Sequence, residues 1–199
     1  MSLSIEEFYN SQYFKDHPDY NCMGVHKIYN IYKVLDSIKH LNGCTAEVGV
    51  YGGMTTNTIV KVMNKQHYAY DTFKGILGAN DFNDFHKNGE FACNLDKVVN
   101  YLHDNSKINY KVGYFPDTFY ESYCSFCFIH TDTDTLIGTQ TSLDIFFPLL
   151  VIGGFIVVDD YKWQNCPGVE IAANNFMKTH IESIECYAID YQLFIKKIK

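Results

Sequence analysis

The sequence contains no arginine: all 16 of its basic residues are lysine, set against 23 acidic residues, for a formal net charge of −7. Arginine is the side chain best shaped for forked recognition of phosphates and base edges, and nucleic-acid binders carry basic stripes. This balance argues against a nucleic-acid partner, and a biased genome composition accounts for the missing residue type. Long apolar runs are also lacking. The longest, from Ile145 to Val158, is interrupted by Pro148 and by Gly153-Gly154 and is too short to cross a bilayer. The first residues, with Glu6 and Glu7 and no apolar stretch, do not read as a secretory signal. A disulfide framework is absent too, because the 7 cysteines are odd in number and scattered. Cys124-Ser-Phe-Cys127 has no second pair to make a zinc site and reads as core packing. A reducing, cytoplasmic setting without membrane contact is expected.

What is present suffices for one sizeable core. With 199 residues, 47% of them hydrophobic and 16% aromatic, the chain reads as a single domain over residues 1–199 with ring-rich walls. A homodimer fits that composition. Residues 1–24 are polar and aromatic and read as an N-terminal cap segment. Apolar residues at three- and four-residue steps from Val25 to Leu41 predict an amphipathic helix. Strands are expected at Ala46–Val50, His67–Asp71, Asn109–Tyr114, Cys127–Thr131 and Phe155–Val158. Helices are expected between them at Thr55–Lys65, Leu95–His103, Pro116–Tyr123 and Thr139–Leu150, and after them at Pro167–His180. The tail, Ile184–Ile189 and Leu193–Ile198 hinged at Asp190-Tyr191, reads as a hairpin. Strands alternating with helices imply an α/β fold, a doubly wound and mostly parallel seven-stranded sheet closed by an antiparallel hairpin.

Open α/β sheets bind ligands beyond the carboxyl ends of their strands. The first strand ends in Glu47-Val48-Gly49-Val50-Tyr51-Gly52-Gly53, where glycine allows a tight turn and close approach to a ligand. The second ends in Asp71, 22 positions after Gly49, the distance at which an acid accepts hydrogen bonds from ribose hydroxyls. The alternative role for Asp71 is to cap local backbone N–H groups. Two further strands end in His130-Thr131-Asp132-Thr133-Asp134 and Val158-Asp159-Asp160-Tyr161. As neighbours they would gather several carboxylates, a costly arrangement that a hard cation such as Mg²⁺ relieves. The alternative is separate solvated turn aspartates. In a regular strand Asp159 and Asp160 face opposite ways, so both can reach one ion only if the chain bends.

These motifs occur in order with Tyr70-Asp71-Thr72-Phe73-Lys74-Gly75, Gly113-Tyr114-Phe115-Pro116-Asp117-Thr118 and the run from Pro148 through Gly153-Gly154 to Tyr161. Over roughly residues 44–178 the chain resembles the macrocin-type O-methyltransferases, which modify sugars on antibiotics. The resemblance implies a class I methyltransferase fold, S-adenosylmethionine, Mg²⁺ and a small-molecule hydroxyl acceptor. It implies cofactor contacts at Glu47, Gly49, Tyr51, Gly53, Asp71, Thr72 and Phe73, and metal ligation by Asp132, Asp159 and Asp160. The sequence departs from the family at Leu136-Ile137, where a Tyr-Glu pair is usual.

Methyl transfer needs an oxygen nucleophile held in line with the sulfonium methyl. Asp132 is the first candidate to accept the hydroxyl proton and His130 the second. The stretch from Lys74 to Phe91, with Phe82, Phe85, His86 and Phe91, is long enough to be a lid or a surface loop. Tyr161 and Trp163 are candidates for the acceptor wall. Two other readings stay open. One is a nicotinamide-dependent oxidoreductase, although the G-x-G-x-x-G order is missing. The other is a cofactor-binding relative of the methyltransferases without turnover.

Overall fold

The computed structural model describes residues 2–20, 22–77, 85–102 and 106–199. Helix α1 (Ile5–Tyr9) opens with a capping box between Ser4 and Glu7 and drives the ring of Phe8 against Tyr29 and Tyr32. Those tyrosines belong to α2 (Val25–Ile38), whose Ile28, Ile31, Tyr32, Leu35 and Ile38 form the buried stripe that the periodicity predicts. Then follow β1 (Cys44–Val48), α3 (Met54–Met63), β2 (His67–Asp71), α4 (Leu95–Leu102), β3 (Ile108–Val112) and β4 (Phe126–Thr131). The chain continues through α5 (Leu136–Leu149), β5 (Leu150–Val158), α6 (Pro167–His180), β6 (Ile184–Ile189) and β7 (Gln192–Lys197).

The strands form one sheet in the order β3-β2-β1-β4-β5-β7-β6, with β1 to β5 parallel and β7 antiparallel to both neighbours. This is the expected doubly wound sheet with its closing hairpin. Alternation sends Ala46, Val48, Tyr68, Tyr70, Ile129, Ile156 and Val158 to the face covered by α5 and α6. Ala69 lies on the other face under α1, α2 and α4, and Phe128, Val157 and Phe194 lie there under α2 and α3. Among the described residues no helix is long and apolar enough to cross a membrane.

Three expected elements differ, among them β5, which starts at Leu150 instead of Phe155. Residues 116–123 form isolated turns instead of a helix, with Phe119 N–H bonded to the Pro116 carbonyl at 2.9 Å. Their side chains explain why: Phe115 stacks on Phe146 and Phe119 meets its edge, while buried Glu121 accepts from Tyr70 Oη at 2.5 Å and pairs with Lys111. Docking these groups on the sheet and α5 outweighs one short helical turn. Helix α5 starts three residues early, because the Thr135 hydroxyl accepts from the Gly138 N–H and caps it. Of the expected α4 and loop residues, His103 and Phe82 lie outside the described residues.

Candidate active site

The backbone ladder continues one residue past three neighbouring strands. Gly49 N–H bonds to the Tyr70 carbonyl at 2.9 Å, Asp132 N–H to Val48 at 2.8 Å and Asp159 N–H to Thr131 at 2.9 Å. Gly49, Asp132 and Asp159 therefore stand side by side at the carboxyl edge. They open onto a cavity of about 550 Å³, the size of a small-molecule site.

One end of the cavity is built by the glycine turn. Gly49 has φ of 88°, and a Cβ there would overlap the Asp132 backbone carbonyl, so only glycine fits. Gly53 (φ 82°) opens α3, whose first amides carry no side-chain cap and border the cavity at Met54 and Thr55. A helix start of this kind favours a carboxylate. Asp71 also lines the wall, and its carboxylate ties the turn together. Oδ2 accepts from Val50 N–H at 2.7 Å and Tyr51 N–H at 2.8 Å, and Oδ1 accepts from Phe73 N–H at 2.6 Å. The alternative role for Asp71, capping local backbone N–H groups, is thus present in full, and these three bonds leave one lone pair on Oδ1 unused.

Tyr51 and Thr72 also line the cavity. The Thr72 hydroxyl is held by the Gly75 carbonyl at 2.8 Å. Phe73 is placed differently: its ring is buried with Ala69 and Val98, and it meets the site only through its amide. Glu47 lies beneath the floor, 1% exposed, accepting from the Thr56 hydroxyl with His130 Nδ1 3.0 Å from Oε1. Burial pushes its carboxyl pKa up, opposed by His130 and Thr56.

The other end gathers carboxylates. Asp160 has φ of 55°, so the chain bends where a regular strand would have parted it from Asp159. Lys27 Nζ, from α2, bridges the two at 3.0 Å (Asp159 Oδ2) and 2.8 Å (Asp160 Oδ1). Burial opposes its charge, yet the two aspartates hold the ammonium pKa above the ordinary lysine value. Asp132 belongs to two clusters whose ligand atoms lie within 4.8 Å of one another, one with His130 and Asp159 and one with Asp134 and Asp160. Burial, then the charges of Asp159, Asp134 and Asp160, push the Asp132 carboxyl well up. Burial and Asp160 raise Asp134 to about 7. Asp159 Oδ1 is buried without a partner among the described residues. Crowded oxygens, one of them orphaned, fit a divalent cation.

Lys27 is not among the candidates the sequence offers, and Asp134 enters there only within the carboxylate run, without a ligand role. Lys27 occupies an ordinary polar position on an amphipathic helix, and only the sheet brings it to the aspartates. Trp163 lines the cavity and meets the edge of Tyr191, whereas Tyr161 turns into the core and donates to Asn174 at 2.9 Å. From the loop, His86 and Phe91 reach the cavity, and Phe85 is exposed. Leu136 and Ile137 stand at the start of α5 and are not part of the cavity wall.

The sequence matches the family described as macrocin-O-methyltransferase (TylF) over residues 11–194. The chain belongs to this family. As a member of the macrocin O-methyltransferase family it is an S-adenosylmethionine-dependent methyltransferase. Solved structures of like fold include the O-methyltransferase NovP, 20% identical with a TM-score of 0.78 over 98% of this chain and 88% of that one. The calicheamicin methyltransferase CalS11 is 16% identical, with a TM-score of 0.73 over 86% and 79% of the two chains. The mycinamycin-pathway methyltransferase MycE, solved with Mg, SAH and mycinamycin VI, is 16% identical with a TM-score of 0.64. The alignment covers 98% of this chain and 54% of MycE. A comparison with curated proteins finds no significant match.

Proposed function

We propose that the chain methylates a hydroxyl of a small molecule, a sugar or related natural product, with S-adenosylmethionine as donor and Mg²⁺ assistance. The observation that carries this reading is one cavity with a glycine turn and open helix start at one end and the Asp132-Asp159-Asp160 cluster at the other. Gly49, Gly53 and the amides opening α3 would receive the amino-acid part of the donor, and Asp71 with Tyr51 and Thr72 its ribose side. MycE, a relative of like fold, is described with Mg and SAH together.

In the reaction the acceptor oxygen forms a bond to the methyl carbon as the carbon–sulfur bond breaks, leaving S-adenosylhomocysteine. Asp132 would receive the hydroxyl proton on a carboxylate oxygen; as a ligand of the ion it is a weakened base, so the ion would supply most of the activation. Asp132, Asp159 and Asp160 would hold the ion, which when bound favours the deprotonated form of a neighbouring hydroxyl. Trp163 and Phe91 would wall the acceptor from water.

Calorimetric titration with S-adenosylmethionine and S-adenosylhomocysteine tests the donor half; no binding at millimolar ligand would overturn it. Transfer of a labelled methyl group to a panel of sugars and phenols tests the other half. Asp132→Asn should keep donor binding and lose turnover by at least about 100-fold. Full activity in chelator would remove the metal from the scheme.

A further inference from the structure

We propose that His130 is itself a ligand of the divalent ion, through Nε2, and that this nitrogen shifts the site's preference from Mg²⁺ towards first-row transition-metal ions. The inference rests on the metal-assisted reading above and adds a residue to it.

His130 precedes Asp132 by two positions near the end of β4, so both project from the same face of the sheet. The imidazole is fully buried. Its Nδ1 lies 3.0 Å from Glu47 Oε1, and the remaining Glu47 oxygen is taken by the Thr56 hydroxyl. With the proton on Nδ1, Glu47 fixes both the tautomer and the ring plane, and Nε2 presents its lone pair. Nε2 has no partner among the described residues, although it is as buried as the strand that carries it. An orphaned ring nitrogen in such a place carries an uncompensated desolvation penalty unless something meets it.

What surrounds Nε2 points to a cation. The ligand atoms of His130, Asp132 and Asp159 all lie within 4.8 Å of one another. Asp159 gives Oδ2 to Lys27 and keeps Oδ1 buried and unpartnered. Two of the three residues in this cluster thus carry a buried, unsatisfied acceptor, a ring nitrogen on His130 and a carboxylate oxygen on Asp159, beside the third residue's carboxylate, that of Asp132. A carboxylate that orients a histidine whose other nitrogen faces a metal is a recurrent supporting arrangement in metalloproteins. Here Glu47 fills that role, which explains an acid buried beneath the cofactor floor. Magnesium favours all-oxygen surroundings and retains several waters, whereas imidazole suits Fe²⁺, Ni²⁺, Cu²⁺ and Zn²⁺.

The test is electron paramagnetic resonance of Mn²⁺ bound to the full chain, with spin-echo detection of nitrogen coupling. The wild-type protein should bind Mn²⁺ and show ¹⁴N modulation from an imidazole, replaced by a ¹⁵N pattern after histidine-specific labelling. His130→Gln should lose the modulation and bind Mn²⁺ about 10–100-fold more weakly, a loss of the size reported for disturbed metal-site partners. Mg²⁺ affinity, read by competition, should change far less. His86→Gln alters a histidine from a different cluster and should leave the modulation intact. Bound Mn²⁺ without nitrogen coupling, or modulation lost only in the His86 variant, overturns the assignment of His130 while leaving metal binding in place. Failure of the wild-type chain to bind Mn²⁺ and Mg²⁺ alike overturns the metal reading itself. The labelling result holds without a variant, so misfolding of His130→Gln would not shield the inference.

Discussion

At Lys27 a single ammonium group answers two carboxylates, and it retains 21% side-chain exposure while Asp159 retains 2%. Removing one partner of an exposed pair costs about 0–1 kcal/mol and of a fully buried pair about 3–5. Lys27→Met should therefore destabilise the protein by roughly 1–3 kcal/mol, measured by urea unfolding. It should also free Asp159 Oδ2 and Asp160 Oδ1, so that added divalent cation restores more stability to the variant than to the wild type. An equal response in both would mean that Lys27 and the ion do not share those oxygens. Little of this was legible in the sequence. The paired aspartates stood out, but strand alternation placed them on opposite sides, and the left-handed turn at Asp160 that reunites them has no glycine to announce it. Asp71 was legible by its spacing from Gly49, whereas its three backbone bonds depend on the folded turn.

Strand ends, more than loops, compose the site. The Asp132 amide donates to the Val48 carbonyl next to Gly49, so the first and fourth strands remain in register past their last paired residues. Gly49→Ala inserts a methyl group into the Asp132 carbonyl at a backbone angle that alanine disfavours. We expect a loss of roughly 2–4 kcal/mol in chemical denaturation. Binding of S-adenosylhomocysteine and of Mn²⁺ should weaken together, because the substitution parts the two ends of one cavity. Weakened nucleoside binding with metal affinity untouched would contradict that coupling. Most elements were legible because their residues obey a single local rule, as in the branched run ending at Val158 and the 3.6-residue stripe of α2. Residues 116–123 depart from the expected helix since Pro116 satisfies a rule for helix starts, while the fate of the segment is decided by Phe146 and Tyr70 far along the chain and by Lys111 on the preceding strand.

Across the whole molecule, stability should depend on pH in a way traceable to the polar layer under the sheet edge. His67 is fully buried with Nδ1 2.9 Å from the Thr45 hydroxyl. Burial, then the nearby His130, lowers its pKa from 6.5 to about 3. The folded chain keeps this ring neutral where the unfolded chain protonates it. Its contribution is thus intact above pH 6.5 and is lost as pH falls towards 3, reaching about 2 kcal/mol at pH 5. The raised carboxylates of Asp132 and Asp134 tilt stability the opposite way, so the test is a difference. His67→Gln should lose less stability than wild type between pH 7.5 and pH 5, and identical slopes would count against it.

Strand order carries a consequence of another kind. Strand β6 reaches the sheet only through β7, which lies between it and β5 although it follows both in the chain. Until residues 192–197 pair, β6 has no place in the sheet and β5 is an edge strand whose backbone N–H and C=O groups lack partners on that side.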